Sequence, residues 1–285
     1  MNSPNLPHGQ SGALLRVLTY RGNTVVRKSS ASINGNPRLR GQMEKQQAFL
    51  TLKTAVKTPE ILDCGYDSEG LFYFDMKFIP GLDGHRFLET CAPKSMREFT
   101  EKISEHLHAI SKLAMIGGKP KYRSLYDSSI SKLTEVHSQK VGLSDELAGK
   151  ILRALEVVRE CDTKMQGFCH GDFTLENIII DTRGELHFVD FLDSNFEHPI
   201  QDYIKLGQDI HGGWFRIRGR RISGSFVAHL EKMLTRNGLD TIPSYEKLRP
   251  VLLALNFCRI LPYVGTQPLK SLVIDKINLF TSQSQ

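Results

Sequence analysis

The stretch Phe168–Asp193, FCHGDFTLENIIIDTRGELHFVDFLD, decides how the chain is read. Ile178, Ile179 and Ile180 form an apolar β-branched run, and Leu186-His187-Phe188-Val189 forms a second. Between them, Asp181-Thr182-Arg183-Gly184 is a cluster of turn residues, so the two runs predict a β-hairpin. A hairpin brings its outer ends together. That makes neighbours of Asn177, before the first strand, and Asp190, at the end of the second. An amide oxygen beside a carboxylate is a pair of hard oxygen ligands, the kind Mg²⁺ takes while it also holds phosphate oxygens. Asp172, five residues before Asn177, is left to accept a proton from a hydroxyl. The plain alternative is a surface loop before an ordinary hairpin, with acids for solubility. Spacing and hairpin context together weigh against it.

Composition sets the outer bounds. A chain of 285 residues can bury a sizeable core in one large domain or two lobes. The formal charge of +6 is mildly basic. It suits an anionic ligand such as a nucleotide but is too weak to argue for nucleic acid, and no base-reading module is present in the sequence. The five cysteines are scattered, odd in number and without a C-x-x-C pair, which argues against a disulfide framework or a zinc site. A reducing, cytoplasmic setting is the expectation. The opening MNSPNLPHGQSG has no basic region followed by an apolar run, so no signal peptide is expected. No apolar run approaches membrane-spanning length.

His170-Gly171-Asp172, then Asn177, then a hairpin ending in Asp190 resembles the catalytic core of the aminoglycoside phosphotransferase and choline kinase superfamily. This is the small-molecule branch of the protein-kinase-like fold. The resemblance implies an α+β, bilobal fold. A small antiparallel-sheet N-lobe with one helix, residues 1–79, would bind nucleotide. A larger, mostly helical C-lobe, residues 80–285, would carry the catalytic hairpin and the acceptor site. The implied donor is ATP, the implied cofactor Mg²⁺, and the implied partner a small-molecule hydroxyl. Under the resemblance Asp172 is the catalytic base, Asn177 and Asp190 are metal ligands, and His170 supports the loop.

Ahead of this core, Ala13–Tyr20 and Thr24–Lys28 predict another hairpin, turned by Arg21-Gly22-Asn23. Lys28 shares a strand face with the apolar Val26, unusual for a solvated lysine. The resemblance assigns it to the α and β phosphates. His8-Gly9-Gln10-Ser11-Gly12 sits where the family has a small-residue loop over the phosphates. Gly9 and Gly12 would let backbone N–H groups approach, although the pattern is not a full glycine-rich signature. A helix is expected over Arg38–Thr54, with Leu39, Met43 and Leu50 at near-helical spacing. Glu44 on that helix is the expected ion-pair partner of Lys28, the alternative being a solvated glutamate. Strands follow at Thr58–Cys64 and Leu71–Phe78, ended by Pro80-Gly81. By resemblance, the backbone of Met76, Lys77, Phe78 and Ile79 pairs with the adenine edge.

The remainder reads as helices: Pro93–Met115, Leu143–Val158 with Ser144 and Asp145 as caps, one beginning near Ile200, and two between Tyr245 and Phe280. Asp202 matches the family's helix-start aspartate that supports the catalytic loop; a dipole-compensating acid is the alternative. Trp214-Phe215-Arg216-Ile217-Arg218-Gly219-Arg220-Arg221 has two readings. Trp214, Arg216 and Arg218 could wall the acceptor site, or the run is a solvated loop, which is the commoner fate of charge runs.

The short interval between Asp190 and the next helix, and Gly171 where regulated protein kinases have arginine, favour a small-molecule kinase over a protein kinase. A pseudokinase that binds nucleotide or a partner is the rival from another class. The C-terminal half has no concentrated acidic tract of the kind that suits aminoglycosides. DFLDSNFEHPIQDYIKLGQD, Asp190 to Asp209, is similar to kinase-like proteins associated with surface-polysaccharide gene sets. That likeness implies a sugar, polyol or sugar-acid acceptor.

Overall fold

The computed structural model describes residues 13–52, 54–114, 125–139, 142–161, 167–192 and 197–284. Gly9 and Gly12 of the expected phosphate loop lie outside them. The chain forms two compact units, Met1–Phe87 with Glu176–Asp193, and Leu88–Leu175 with Ser194–Gln285.

The first unit is built on a sheet. β1 (Ala13–Tyr20) and β2 (Asn23–Ser30) are antiparallel neighbours in register from Ala13↔Ser30 to Tyr20↔Asn23. Arg21 and Gly22 both take positive φ, the geometry a two-residue hairpin turn requires. α1 (Asn36–Leu50) follows, then β3 (Ile61–Tyr66) and β4 (Phe72–Lys77). The strand order is β1-β2-β4-β3, antiparallel throughout. Leu39 and Met43 of α1 pack on Phe72, Phe74 and Met76 of β4, with Ala13, Val26 and Ile61 against them. Leu50, expected on this apolar stripe, is exposed; Phe49 is the buried residue of that turn.

A second, smaller sheet belongs to the same unit. β5 (Gly81–Asp83) is followed by α2 (Gly84–Thr90), along which the chain leaves the unit. β6 (Ile178–Asp181) and β7 (Leu186–Phe188) are the expected hairpin, and the order is β5-β6-β7. Asp181 closes its turn by accepting from the N–H groups of Arg183 and Glu185. The sequence puts a lobe boundary after residue 79; by contacts, residues 80–87 and the hairpin group with the sheet unit. The reason is hydrogen bonding: Lys57 N donates to Leu186 O at 2.9 Å, and Phe188 N donates back to Lys57 O at 2.8 Å. Phe49 of α1 also packs its ring on Phe188 and Phe191. The strand ends before Pro80-Gly81 as expected; Gly81 then starts β5, and glycine is what allows it. A Cβ at Gly81 would lie 2.2 Å from the Ile180 carbonyl oxygen.

The second unit is helical. α3 (Pro93–Ala114) buries Phe99, Ile103, Leu107 and Ile110 along one face, as its spacing predicts. α4 (Leu125–Ser138) has no counterpart in the sequence reading. The single helix expected over 143–158 is two, α5 (Asp145–Ala154) and α6 (Glu156–Glu160). The Ser144 hydroxyl caps α5 by accepting from Leu147 N. α7 (Ile200–Ile210), the one-turn α8 (Trp214–Ile217), α9 (Gly224–Thr241), α10 (Tyr245–Ile260) and α11 (Gln267–Ser282) complete the unit. α10 is buried almost continuously from Val251 to Cys258 and packs against α4, α7 and α11, so it is the central helix. Among the described residues no helix is long and apolar enough to cross a membrane.

Gly81→Ala should destabilise the protein by about 1–3 kcal/mol, because the added methyl must displace backbone rather than a flexible side chain. Denaturant unfolding measures this. Gly149→Ala in α5, where the new methyl meets only the end of Arg153, serves as the control and should be neutral or slightly stabilising.

Candidate active site

In the sheet unit the site is organised by one buried cation. Lys28 on β2 is 4% exposed. Its Nζ donates to Asp190 Oδ1 at 2.5 Å and to Gln42 Oε1 at 2.7 Å. The lysine expected to meet Glu44 therefore does not. Glu44 points to solvent and pairs with Arg40 at 3.1 Å. Helical geometry is the reason. Successive residues of an α-helix are about 100° apart, so positions 42 and 44 lie on nearly opposite sides of α1. The buried stripe Asn36, Leu39, Gln42, Met43, Gln46 and Phe49 includes Gln42 and excludes Glu44. A neutral amide thus holds the lysine from the helix side, and among the described residues its carboxylate partner is Asp190.

Asp190 follows β7 and takes φ 61°, a left-handed conformation that aspartate tolerates better than most side chains. Phe191 after it is buried, and α1 reaches the next residue through Lys45 Nζ, which donates to Leu192 O at 2.7 Å. At the other end of the hairpin, Val189 N donates to Asn177 O at 3.0 Å, which sets Asn177 beside the backbone that leads into Asp190. Asp190 uses Oδ1 on Lys28, and its Oδ2 has no protein partner among the described residues. A side-chain amide and a carboxylate with one oxygen to spare suit Mg²⁺, which prefers one or two protein oxygens and completes its shell with water and phosphate. Among the described residues no group of three His, Cys, Asp or Glu offers an all-protein metal cage.

The expected adenine-binding segment is only partly available. Met76 and Lys77 belong to β4; Lys77 N donates to Glu60 O at 2.9 Å, and Phe78 N donates to Thr24 O at 3.3 Å. Those two N–H groups are spent within the sheet. The Ile79 N–H, the first beyond it, has no partner among the described residues.

In the helical unit the loop Phe168–Leu175 is held by charged residues of α7. Asp202, fully buried, accepts from His170 N at 2.7 Å and from Gly171 N at 3.0 Å. Asp209, also fully buried, accepts from Leu175 N at 2.7 Å. Gly171 takes φ 87°, which few other residues could adopt there. Asp172 N donates to His170 Nδ1 at 3.3 Å, an arrangement that leaves the ring proton on Nε2. His170 and Asp202 are thus in contact with the loop that carries Asp172. Lys205, between the two aspartates on α7, places Nζ 2.9 Å from Asp172 Oδ1. Burial raises the Asp172 carboxyl, but the Lys205 ammonium, with His170 and Arg259 beyond it, more than offsets that, so its pKa lies below the usual carboxylate value. Asp172 is therefore ionised at neutral pH.

Lys205 and Asp209 are not read as functional from the sequence, although a signal exists. Asp202, Lys205 and Asp209 recur at intervals of three and four along the helix, which places all three on one face. Gln42 carries no such signal. The basic run resolves into unlike parts: Trp214 meets Phe257 edge-on, Arg216 lies over the ring of buried Phe215, and Arg220 faces Glu89 at 3.7 Å.

An antiparallel-sheet unit with one long helix and a separate helical unit are the architecture of the protein-kinase-like class. The model of the phosphotransferase enzyme family, APH, matches residues 4–245, and the chain belongs to that family. Similar solved structures include a thermostable mutant of aminoglycoside phosphotransferase APH(4)-Ia in the apo form, 16% identical, covering 99% of this chain and 94% of that one, with a TM-score of 0.69. A ternary complex of a further thermostable mutant of that enzyme with AMP-PNP and hygromycin B is 16% identical over 98% and 92%, with a TM-score of 0.68. The GDP and kanamycin complex of APH(2")-IIia is 15% identical over 99% and 92%, with a TM-score of 0.66. No curated protein matches the sequence. At these identities the likeness establishes the fold.

The two rival helix partners of Lys28 separate in stability. Gln42→Ala removes a buried hydrogen bond to a charged group and should cost about 1.5–3 kcal/mol. Glu44→Ala removes an exposed pair and should change stability by no more than about 0.5 kcal/mol. Urea unfolding of both variants beside the wild type checks the ordering.

Proposed function

We propose that the protein transfers the γ-phosphoryl group of ATP to a hydroxyl of a small molecule of the sugar, polyol or sugar-acid class. The observation that carries this reading is the Lys28–Asp190 pair, which joins a buried cation from the sheet to a carboxylate at the end of the hairpin. These are the two charges that a phosphate chain and its counter-ion need. Asn177 and Asp190 would hold Mg²⁺, which when bound neutralises charge on the phosphate oxygens. Lys28, aimed by Gln42, would anchor the nucleotide phosphates. Asp172 would orient the acceptor hydroxyl and take its proton as the new O–P bond forms and ADP leaves. Asp202 and His170 act on the position of Asp172 through the loop backbone. With so little covalent work for the protein, positioning and electrostatics supply most of the rate.

A second reading, nucleotide binding without turnover, is favoured by one feature: the amide of Gln42 stands where the resemblance implies a glutamate. The ionised Asp172, held by a dedicated lysine, weighs the other way, because a binding module has no use for a poised base.

ADP release from Mg-ATP across sugars, polyols, sugar acids, amino alcohols and aminoglycosides tests the proposal. Turnover with one acceptor should fall about 10²- to 10⁴-fold in Asp172→Ala while nucleotide affinity is retained. Equal turnover in both proteins would remove Asp172 from the mechanism. The pH profile tests the role of Lys205. In the wild type Asp172 stays ionised down to and below the ordinary carboxylate value of 3.8. In Lys205→Met the main influence opposing burial is lost, so the acid limb of kcat/KM should move upward. An unmoved limb would assign it to another group.

A further inference from the structure

Asp172 is held by a lysine with donors to spare. Lys205 reaches it from α7, with Nζ 2.9 Å from Oδ1, and is only 9% exposed. An ammonium carries three donors and no acceptor. Asp172 takes one of them; among the described residues no other group accepts from Lys205. Asp209 on the same helix and Arg259 on α10 act on its charge at longer range, without a hydrogen bond to it. Buried donors are rarely left unfilled, so the two remaining N–H groups imply a ligand or its water.

The chemistry says what would stand there. A base accepts from the hydroxyl that it deprotonates at about 2.6–3.2 Å. That hydroxyl and the Lys205 ammonium are therefore each one hydrogen bond from the Asp172 carboxylate. The oxygen that loses its proton is also the one that gains the phosphoryl group, so the oxygens of that group come to lie beside the base. Their charge meets a region already rich in carboxylate, since Asp172, Asp202 and Asp209 all belong to it. A phosphoryl group arriving among like charges is repelled unless a cation faces it. Lys205 is a cation in direct contact with the base, and it has donors left to offer.

We propose that Lys205 is a catalytic residue, whose free N–H groups donate to the oxygens of the phosphoryl group as the acceptor hydroxyl receives it. This rests on the phosphotransferase reading and adds a residue to it. The hydroxyl proton passes to Asp172, the new O–P bond forms, the bond from phosphorus to the bridging oxygen of ADP breaks, and ADP leaves with that electron pair. Lys205 transfers no proton. As Asp172 becomes neutral, the ammonium loses its first ionic partner at the moment the phosphoryl group arrives. Its interaction with that group therefore strengthens toward the transition state, which is what raises kcat.

Kinetics of the purified full-length protein test this, with Mg-ATP and Mg-ATPγS as donors and glucose, galactose, glycerol, glucuronate and kanamycin as acceptors. Lys205→Gln keeps a donor for Asp172 and removes the charge. On the alkaline plateau, where Asp172 is ionised in both proteins, its kcat should fall about 10²- to 10³-fold. The KM values for acceptor and ATP should stay within about threefold of wild type. Sulfur in place of a phosphoryl oxygen is a poor hydrogen-bond acceptor, so the ratio of ATP to ATPγS rates should shrink at least threefold in Lys205→Gln, where the contact is already gone. Lys205→Arg, which keeps the charge, should retain at least tenfold more kcat than Lys205→Gln. A plateau kcat equal to or above wild type in Lys205→Gln overturns the inference, because a lysine that only sets the ionisation of Asp172 makes it the weaker base. An unchanged ATP to ATPγS ratio overturns it too, and both results leave the phosphotransferase standing. Thermal unfolding shows whether Lys205→Gln folds. If it does not, the ratio in Lys205→Arg decides: a shifted ratio supports the contact and the wild-type ratio overturns it. No turnover by the wild type with any acceptor overturns the phosphotransferase reading, and this inference with it.

Discussion

A lysine ammonium cannot be buried alone, and the sheet unit is arranged around that constraint. Removing a charge of this size from water costs several kcal/mol unless it is paired and hydrogen-bonded. Lys28 meets the requirement with Asp190 and Gln42, one from far along the chain and one from the helix over the sheet. The pairing has structural consequences. It draws the β6–β7 hairpin into the same unit as a strand 162 residues earlier. It also requires the left-handed turn at Asp190 that aims the carboxylate. The Phe49, Phe188 and Phe191 rings and the Lys45 bond to the following backbone fix that turn from the α1 side. A device of this kind is weak as a source of net stability but strong as a constraint on geometry, since losing either partner strands the other.

The helical unit solves a related problem with backbone groups. The loop His170–Thr174, which leads into a short 3-10 turn at Leu175, has no strand or helix to satisfy its backbone N–H groups, yet it is largely buried. Buried donors need acceptors. Asp202 and Asp209 supply them from α7, and Lys205 between them answers the charge of Asp172. One helical face thus sets the loop's shape and the ionisation of Asp172 together. Helix α7 can carry three charges inside the unit because each has a named partner.

The elements nearest the chemistry are legible in the sequence. The β-branched runs around Asp181–Gly184 and the small-residue turn at Arg21-Gly22 predict hairpins, and both are present with residue-level registers. Periodicity likewise places the core face of α3. Glu44 is the expected partner of Lys28 by charge and spacing; the helix phase turns it to water and brings Gln42 inward. The N–H groups of Lys77 and Phe78 are taken by Glu60 and Thr24, because the sheet pairing continues through them.

What the sequence determined by itself is a set of local structures and where the candidate groups stand on them: Asp172, Asn177 and Asp190 around a hairpin, and a lysine on an apolar strand face. Local sterics and hydrophobic periodicity suffice for that. Only the tertiary structure decided which partner each charge meets. Gln42 was chosen over Glu44, and Lys205 was brought to Asp172. Such pairings join residues far apart in the chain and depend on which side of a helix faces inward. The cost of burying a charge then selects among the arrangements that packing allows.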